Sequence, residues 1–123
     1  MKKIDITQML FSDIYLLYLQ KAERSGHTKE EIDEIIFWLT GYNLDSMIRQ
    51  VNNQVDLADF FYKAPHMNEA AKLITGSICG IKVEDITDPL IQEIRYLDKL
   101  VDELAHNKPM NKILRHPNKV SEY

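Results

Sequence analysis

The chain has 123 residues, 45% of them hydrophobic and 28% charged, with a formal net charge of −4. Such a composition reads as one ordinary soluble domain, long enough to bury a core without disulfide or metal staples. The sole cysteine, Cys79, excludes an internal disulfide and suits a reducing compartment.

Lys2 and Lys3 open the chain, but Asp5 and Asp13 interrupt the stretch after them and no small-residue cleavage site appears, so no secretory leader is read. The longest fully apolar run, residues 14–19, is far too short to cross a bilayer. The expectation is a cytoplasmic protein without a membrane partner. Charge is distributed unevenly. Residues 1–106 carry 11 Lys/Arg against 18 Asp/Glu, whereas residues 107–123 carry four against one. The body would repel nucleic acid, and only the basic end could attract it.

Residues 1–11 lack a clear period and read as an extended arm. Ser12 is placed to cap a helix running to about Ser25. Its middle, residues 14–19, is apolar on nearly every side, which marks a buried helix. Gly26 supplies a left-handed stop. Thr28 and Glu31 form a capping box for a second helix, and Glu30, Glu31, Asp33 and Glu34 sit over its positive end. Ile32, Ile35, Ile36 and Leu39 make its inward stripe, and Gly41 closes it. Asn43 caps a third helix with Leu44, Met47, Ile48 and Val51 inward. Asp56 caps a short fourth through Phe60 and Phe61. Asn68 caps a fifth, with Ala70, Leu73, Ile74 and Ile78 on one side and Gly80 after its end. There Cys79 reads as a small buried hydrophobe, and Gly76 with Gly80 as a close helix contact plus a C-cap. Residues 81–87 read as a connector, with one short turn or an extended piece.

Residues 88–106 form the central helix. Asp88 is its N-cap and Pro89 occupies the first helical position, where a missing N–H costs nothing. Leu90, Ile94, Leu97, Val101 and Leu104 come at alternating spacings of four and three, a single buried stripe. Lys99 and Glu103 lie one turn apart and are expected to pair on the outer face. A last short helix spans residues 110–115, and residues 116–123 read as a frayed tail. No repeat or second domain is visible. The fold class is all-α: one compact bundle, residues 1–123, of about six helices around the helix at about 89–106.

Several stretches together resemble a known bacterial family. They are Lys21-Ala22-Glu23-Arg24, Asp33-Glu34-Ile35-Ile36, Trp38-Leu39-Thr40-Gly41-Tyr42, Leu73-Ile74-Thr75-Gly76, Ile78-Cys79-Gly80 and Asp88-Pro89-Leu90, the last continuing from Glu93 to Leu104. From about Phe11 to Arg115 the chain is similar to the family called domain of unknown function 2200. The resemblance implies a small bacterial cytoplasmic protein. It implies no activity, and it carries over no catalytic residue.

The residues themselves offer little chemistry. His27, His66, His106 and His116 are scattered, and Glu103-x-x-His106 is a single copy of a motif that di-iron bundles need twice. No metal site and no cofactor is expected. Neither a Gly-x-Ser-x-Gly elbow nor a Gly-rich phosphate loop occurs. A helix-turn-helix over residues 72–92 is weighed and set aside. Pro89 would break its recognition helix, and Glu84, Asp85 and Asp88 would face phosphates.

On a helical wheel with Leu90 at zero, Glu93 lands at about 300° and Asp98 at about 80°, both inside the apolar arc. Carboxylates there must find donors or line a groove. At least one is expected to be mostly buried and hydrogen-bonded, with a lowered pKa if it meets a cation. Trp38, Tyr42 and Tyr96 are the aromatics placed to line a surface. The candidate ligand or partner surface is therefore Trp38, Tyr42, Glu93, Arg95, Tyr96 and Asp98. The expected function is a non-catalytic interaction or regulatory module, with a homodimer or another protein as partner. The alternative is an enzyme or small-ligand binder using an inter-helix pocket near Trp38, Tyr42 and the central helix.

Overall fold

A computed structural model describes residues 5–116. Six α-helices account for most of them: α1 (Phe11–Arg24), α2 (Lys29–Thr40), α3 (Leu44–Asn52), α4 (Leu57–Tyr62), α5 (Pro89–Ala105) and α6 (Met110–Ile113). Helix α5 is central. It packs against α1, α2, α4 and α6, and against the loop structure that precedes it. Of its seam Ile94, Leu97, Val101 and Leu104 are buried, together with neighbouring Leu100, whereas Leu90 is half-buried.

Local chemistry sets the helix ends. Thr28 and Glu31 form the capping box of α2, and Asp88 accepts from the amides of Leu90 and Ile91 at 2.9 and 3.2 Å. Helices α1 and α5 stop in the same way. Past α1, His27 N–H donates to the Ala22 carbonyl at 2.8 Å and Gly26 N–H to Glu23 at 3.1 Å; past α5, Lys108 and Asn107 do the same to Glu103 and Leu104. Both are Schellman closures, with Gly26 and Asn107 in the left-handed region.

A second centre of packing is aromatic. Phe60 stacks on Phe11 at 3.8 Å between ring centroids and on Tyr42 at 4.6 Å, and Phe61 meets its edge. The Tyr42 hydroxyl donates to the Phe60 carbonyl at 2.7 Å.

Four expectations are corrected. First, residues 5–10 are not a free extended arm. Asp5 caps a single 3-10 turn, Ile6–Gln8, and the chain is then strapped to the loop before α4 by Phe11 N–H to Val55 and Leu57 N–H to Met9, both at 2.9 Å. Residues 1–4 and 117–123, including most of the frayed tail, lie outside the described residues. Second, α1 is not buried all round. It begins at Phe11 without a Ser12 cap, and Leu16 and Leu17 are each 53% exposed. In the same way Met47 is the buried residue of α3, whereas Leu44 and Ile48 are exposed.

Third, no fifth helix spans residues 69–78. Asn68 caps a 3-10 turn, Glu69–Leu73, and a two-stranded antiparallel hairpin comes next: β1 (Ser77–Ile78) and β2 (Ile81–Lys82). Cys79 and Gly80 form its two-residue loop, with φ of 54° and 81°. Two left-handed residues in succession suit the right-handed twist of the strands, and that geometry, not helix packing, is what Gly80 serves. Cys79 is exposed at the tip. Buried Ile74 and Val83 anchor the hairpin at either side. Fourth, Glu103 does not pair with Lys99 on the outer face. Lys99 reaches the Ser77 carbonyl at 3.2 Å, and Glu103 turns inward.

Because Leu97 lies at the middle of the α5 seam, Leu97→Ala should cost about 2–5 kcal/mol, the range for large-to-small core changes. Urea unfolding of both forms would measure it; an unmoved midpoint would mean that the seam is not the core.

Candidate functional site

An open groove of ≈ 600 Å³ runs along the outer side of α2, lined by Phe37, Trp38, Leu44 and Leu114, with Lys29, Glu30, Asp33 and Glu34 along its edge. Two rows at helical spacing build it, Lys29-Asp33-Phe37 and Glu30-Glu34-Trp38. Both lie off the Ile32, Ile35, Ile36 and Leu39 stripe that turns into the core. Helix propensity and the capping box place the carboxylates, and the aromatics come four residues later on the same rows.

Polar groups at this groove are largely engaged with one another. Buried Asp33 accepts from the Tyr15 hydroxyl at 2.5 Å and pairs with Lys29 Nζ at 2.6 Å. Burial, then the bond to Asp33, pushes the Tyr15 hydroxyl up to about 12. The edge carboxylates Glu30 and Glu34 are exposed. The lining is thus apolar in the middle and acidic outside.

The six residues singled out from sequence do not form one site. Trp38 lies half-buried in the α2 groove. Tyr42 is buried in the aromatic stack and lines no surface, and burial pushes its hydroxyl up to about 12. Arg95 and Asp98 pair at 2.8 Å on the side facing α1, where the Tyr18 hydroxyl donates to the same carboxylate. Burial and the Asp98 charge hold the Tyr18 hydroxyl well above its ordinary value. Glu93 and Tyr96 line a separate cleft. Asp98 meets the expectation of a mostly buried, hydrogen-bonded carboxylate. Among the described residues Glu93 meets neither a cation nor a donor, and burial raises its carboxyl rather than lowering it.

Sequence inspection missed the principal buried ion pair. Glu103 is 7% exposed, and its two carboxylate oxygens accept from Arg115 at 2.6 and 2.9 Å; Lys108 completes the cluster at 3.2 Å. Burial pushes its carboxyl up, but Arg115 and Lys108 outweigh that and hold it below the ordinary range. On the same helical wheel Glu103 falls at about 220°, outside the apolar arc, so helical spacing carries no signal for its burial, which Arg115 from beyond α6 provides. Glu103 so engaged anchors the segment after α6, while His106 turns to Asp102. Among the described residues no group of three or more His, Cys, Asp or Glu is placed to hold a metal ion. His27 is held between Glu31 at 3.1 Å and Asn107 at 2.8 Å.

Glu103 and Glu93 should respond to pH with opposite sign. Arg115→Ala leaves Glu103 enclosed with Lys108 alone and should cost about 1–3 kcal/mol, the range for losing a charged hydrogen-bond partner. Since the Glu103 pKa is lowered on folding, the loss should be present at neutral pH and fade as pH falls through the folded value. The Glu93 pKa is raised, so its contribution runs the other way. Glu93→Gln should raise the unfolding midpoint at neutral pH and leave it unchanged below the unfolded carboxyl pKa. Thermal unfolding across pH checks both.

Comparison with known proteins supplies the family. The profile described as "Uncharacterized protein conserved in bacteria (DUF2200)" matches residues 5–115. The crystal structure of an uncharacterized protein, SP1917, superposes with a TM-score of 0.85 at 38% identity, covering 94% of this chain and 99% of that one. No curated protein matches. Among the described residues no helix is long and apolar enough to cross a membrane. The α2 groove, the α5 core and the buried carboxylates thus belong to a chain that is a member of the bacterial family of uncharacterized proteins DUF2200.

Proposed function

We propose that this protein is a non-catalytic interaction module whose α2 groove receives a helical segment of a partner protein, apolar on one face and basic at its margins. The observation that carries this reading is the lining itself. Phe37, Trp38, Leu44 and Leu114 offer an aromatic and aliphatic trough, and Glu30 and Glu34 offer negative charge beside it. Apolar anchors with a charged rim are how helix-in-groove recognition is built. A small-ligand pocket would call for convergent, unspent polar groups. Here Lys29 and Asp33 are committed to each other. A second copy of the chain is the weaker occupant, because its acidic body would meet the acidic rim with like charge. A cytoplasmic location is part of the same reading, supported by the single cysteine.

Trp38 is the sole tryptophan and reports on the groove directly. Titration with a synthetic amphipathic Leu/Lys helix should shift its emission to the blue in a saturable manner. An Asp-for-Lys version of that peptide should not. Leu44→Glu should abolish the shift and leave the circular dichroism unchanged, because Leu44 is exposed. Sedimentation velocity would register self-association in its place. Emission insensitive both to the peptide and to protein concentration would refute the assignment.

A further inference from the structure

We propose that the cleft between residues 67–72 and the first turns of α5 binds a primary alkylammonium group, with the Glu93 carboxylate as its counter-charge and the Tyr96 hydroxyl as a second polar contact. This site is separate from the α2 groove and does not depend on the function assigned to that groove.

The cleft encloses ≈ 230 Å³, with Met67, Ala71 and Pro89 as apolar wall and Gln92, Glu93 and Tyr96 as polar wall. Tyr96 is 7% exposed, yet its hydroxyl has no hydrogen-bond partner among the described residues. None of their side-chain oxygens or nitrogens is sealed from solvent without a partner. The Tyr96 oxygen is therefore open to solvent, and the Tyr96 side chain lines the cleft. Glu93 is half-buried beside it, near enough for its charge to raise the Tyr96 hydroxyl, and it too has no donor. Two polar groups of one cleft are thus left unspent, whereas Asp33, Asp98 and Glu103 are all paired. Leaving a half-buried carboxylate without a donor is costly, and the cost is recovered when a donor arrives.

Charge selects the sign of that donor. Glu69 lies at the rim, and Asp59 lies across Pro89 in an adjoining hollow of ≈ 430 Å³ that also reaches Glu93. Against these three carboxylates stands Lys72, which is exposed and makes no pair with Glu93. An anion would be repelled, and a neutral donor would leave the Glu93 charge uncompensated. An ammonium brings three N–H donors and the matching charge. Gln92 spends its amide on the Val83 carbonyl at 3.0 Å and keeps its own carbonyl oxygen as a further acceptor. Met67, Ala71 and Pro89 suit a methylene stem. Drug-sized ligands fill about 300–1,000 Å³, so the smaller volume limits the stem to a few carbons.

The test is an amide-shift titration by nuclear magnetic resonance on the full chain. The probes are n-butylamine, 1,4-diaminobutane and Nα-acetyl-lysine methylamide, with butyrate and n-butanol as controls. The amines should give saturable shifts centred on Lys72, Gln92 and Glu93, and the controls should not. Glu93→Gln should weaken amine binding by about ten-fold or more, the scale of one charge-assisted hydrogen bond. Tyr96→Phe should weaken it by a smaller factor, with circular dichroism unchanged in both variants. Tighter binding of the lysine derivative than of the free amines would assign the ammonium to a protein side chain. The reverse order would assign it to a free amine. Absence of saturable shifts at millimolar amine, or equal affinity in wild type and Glu93→Gln, would overturn the proposal.

Discussion

The enclosure of α5 by α1, α2, α4 and α6 is the constraint on which the rest of this molecule depends. A fully buried Leu, Ile or Val is worth about 1.5–3 kcal/mol, and α5 buries five of them along and beside one seam. The seam is not isolated from polar residues. Asp98, Asp102 and Glu103 are interleaved with it, so burying the apolar stripe draws three carboxylates toward the interior. Each then needs a donor from another element. Helix α1 supplies the Tyr18 hydroxyl to Asp98 and Lys21 Nζ to Asp102 at 3.2 Å, and the segment after α6 supplies Arg115 to Glu103.

Those pairs also bear on how α1 and α5 align. Tyr18 and Lys21 are about one turn apart, as are Asp98 and Asp102, and the contacts advance in the same direction along both helices. A one-turn slip would break both at once and leave Asp98 with Arg95 alone, without its buried hydroxyl donor. Apolar packing alone discriminates poorly between neighbouring registers of two similar helices. The hydroxyl and ammonium contacts separate them.

Much of this was legible in the sequence because it is local. The caps at Thr28, Asn43, Asp56, Asn68 and Asp88 all form, since a cap is decided within four residues of chain. The α5 seam was legible for the same reason. Features that depend on distant chain were not. A wheel gives the angle of Asp98 but not its partner Tyr18, 80 residues away. Leu16 and Leu17 have the composition of a core and are exposed, because no element among the described residues packs over that side of α1. The hairpin at residues 77–82 was hidden by apolar spacing that fits a helix equally well. The deciding signal was Cys79-Gly80 between β-branched residues, a turn that needs two left-handed conformations. Of the candidate surface, Trp38 lies half-buried along the α2 groove, off the isoleucine stripe that turns into the core. Tyr42 does not, because its partner Phe60 comes from a different helix.

How α2 is held decides what its groove can do. At its start, the Glu31 carboxylate accepts from Thr28 N–H at 2.9 Å and meets His27, whose other ring nitrogen reaches Asn107 at 2.8 Å, just past the end of α5. At its end, the open carbonyls are taken by a neighbouring strand of chain: His66 N–H donates to Thr40 at 3.0 Å, Asn68 N–H to Leu39 at 2.9 Å, and the Asn68 side chain to Trp38 at 3.1 Å. Gly41 permits this approach, since a β-carbon there would lie 2.8 Å from the His66 nitrogen. Helix α2 is therefore fixed at its start to the residue that closes α5 and at its end to residues 66–68, and its outer rows are presented on that support. Ordering a loop or a mobile helix on binding consumes part of the interaction energy, and a support already in place avoids that cost. The same bond from Asn68 to the Trp38 carbonyl fixes the backbone beneath the groove's largest side chain. Asn68 itself lies in the wall of the Glu93 cleft. One side chain thus belongs to the wall of the cleft and to the backbone support of Trp38.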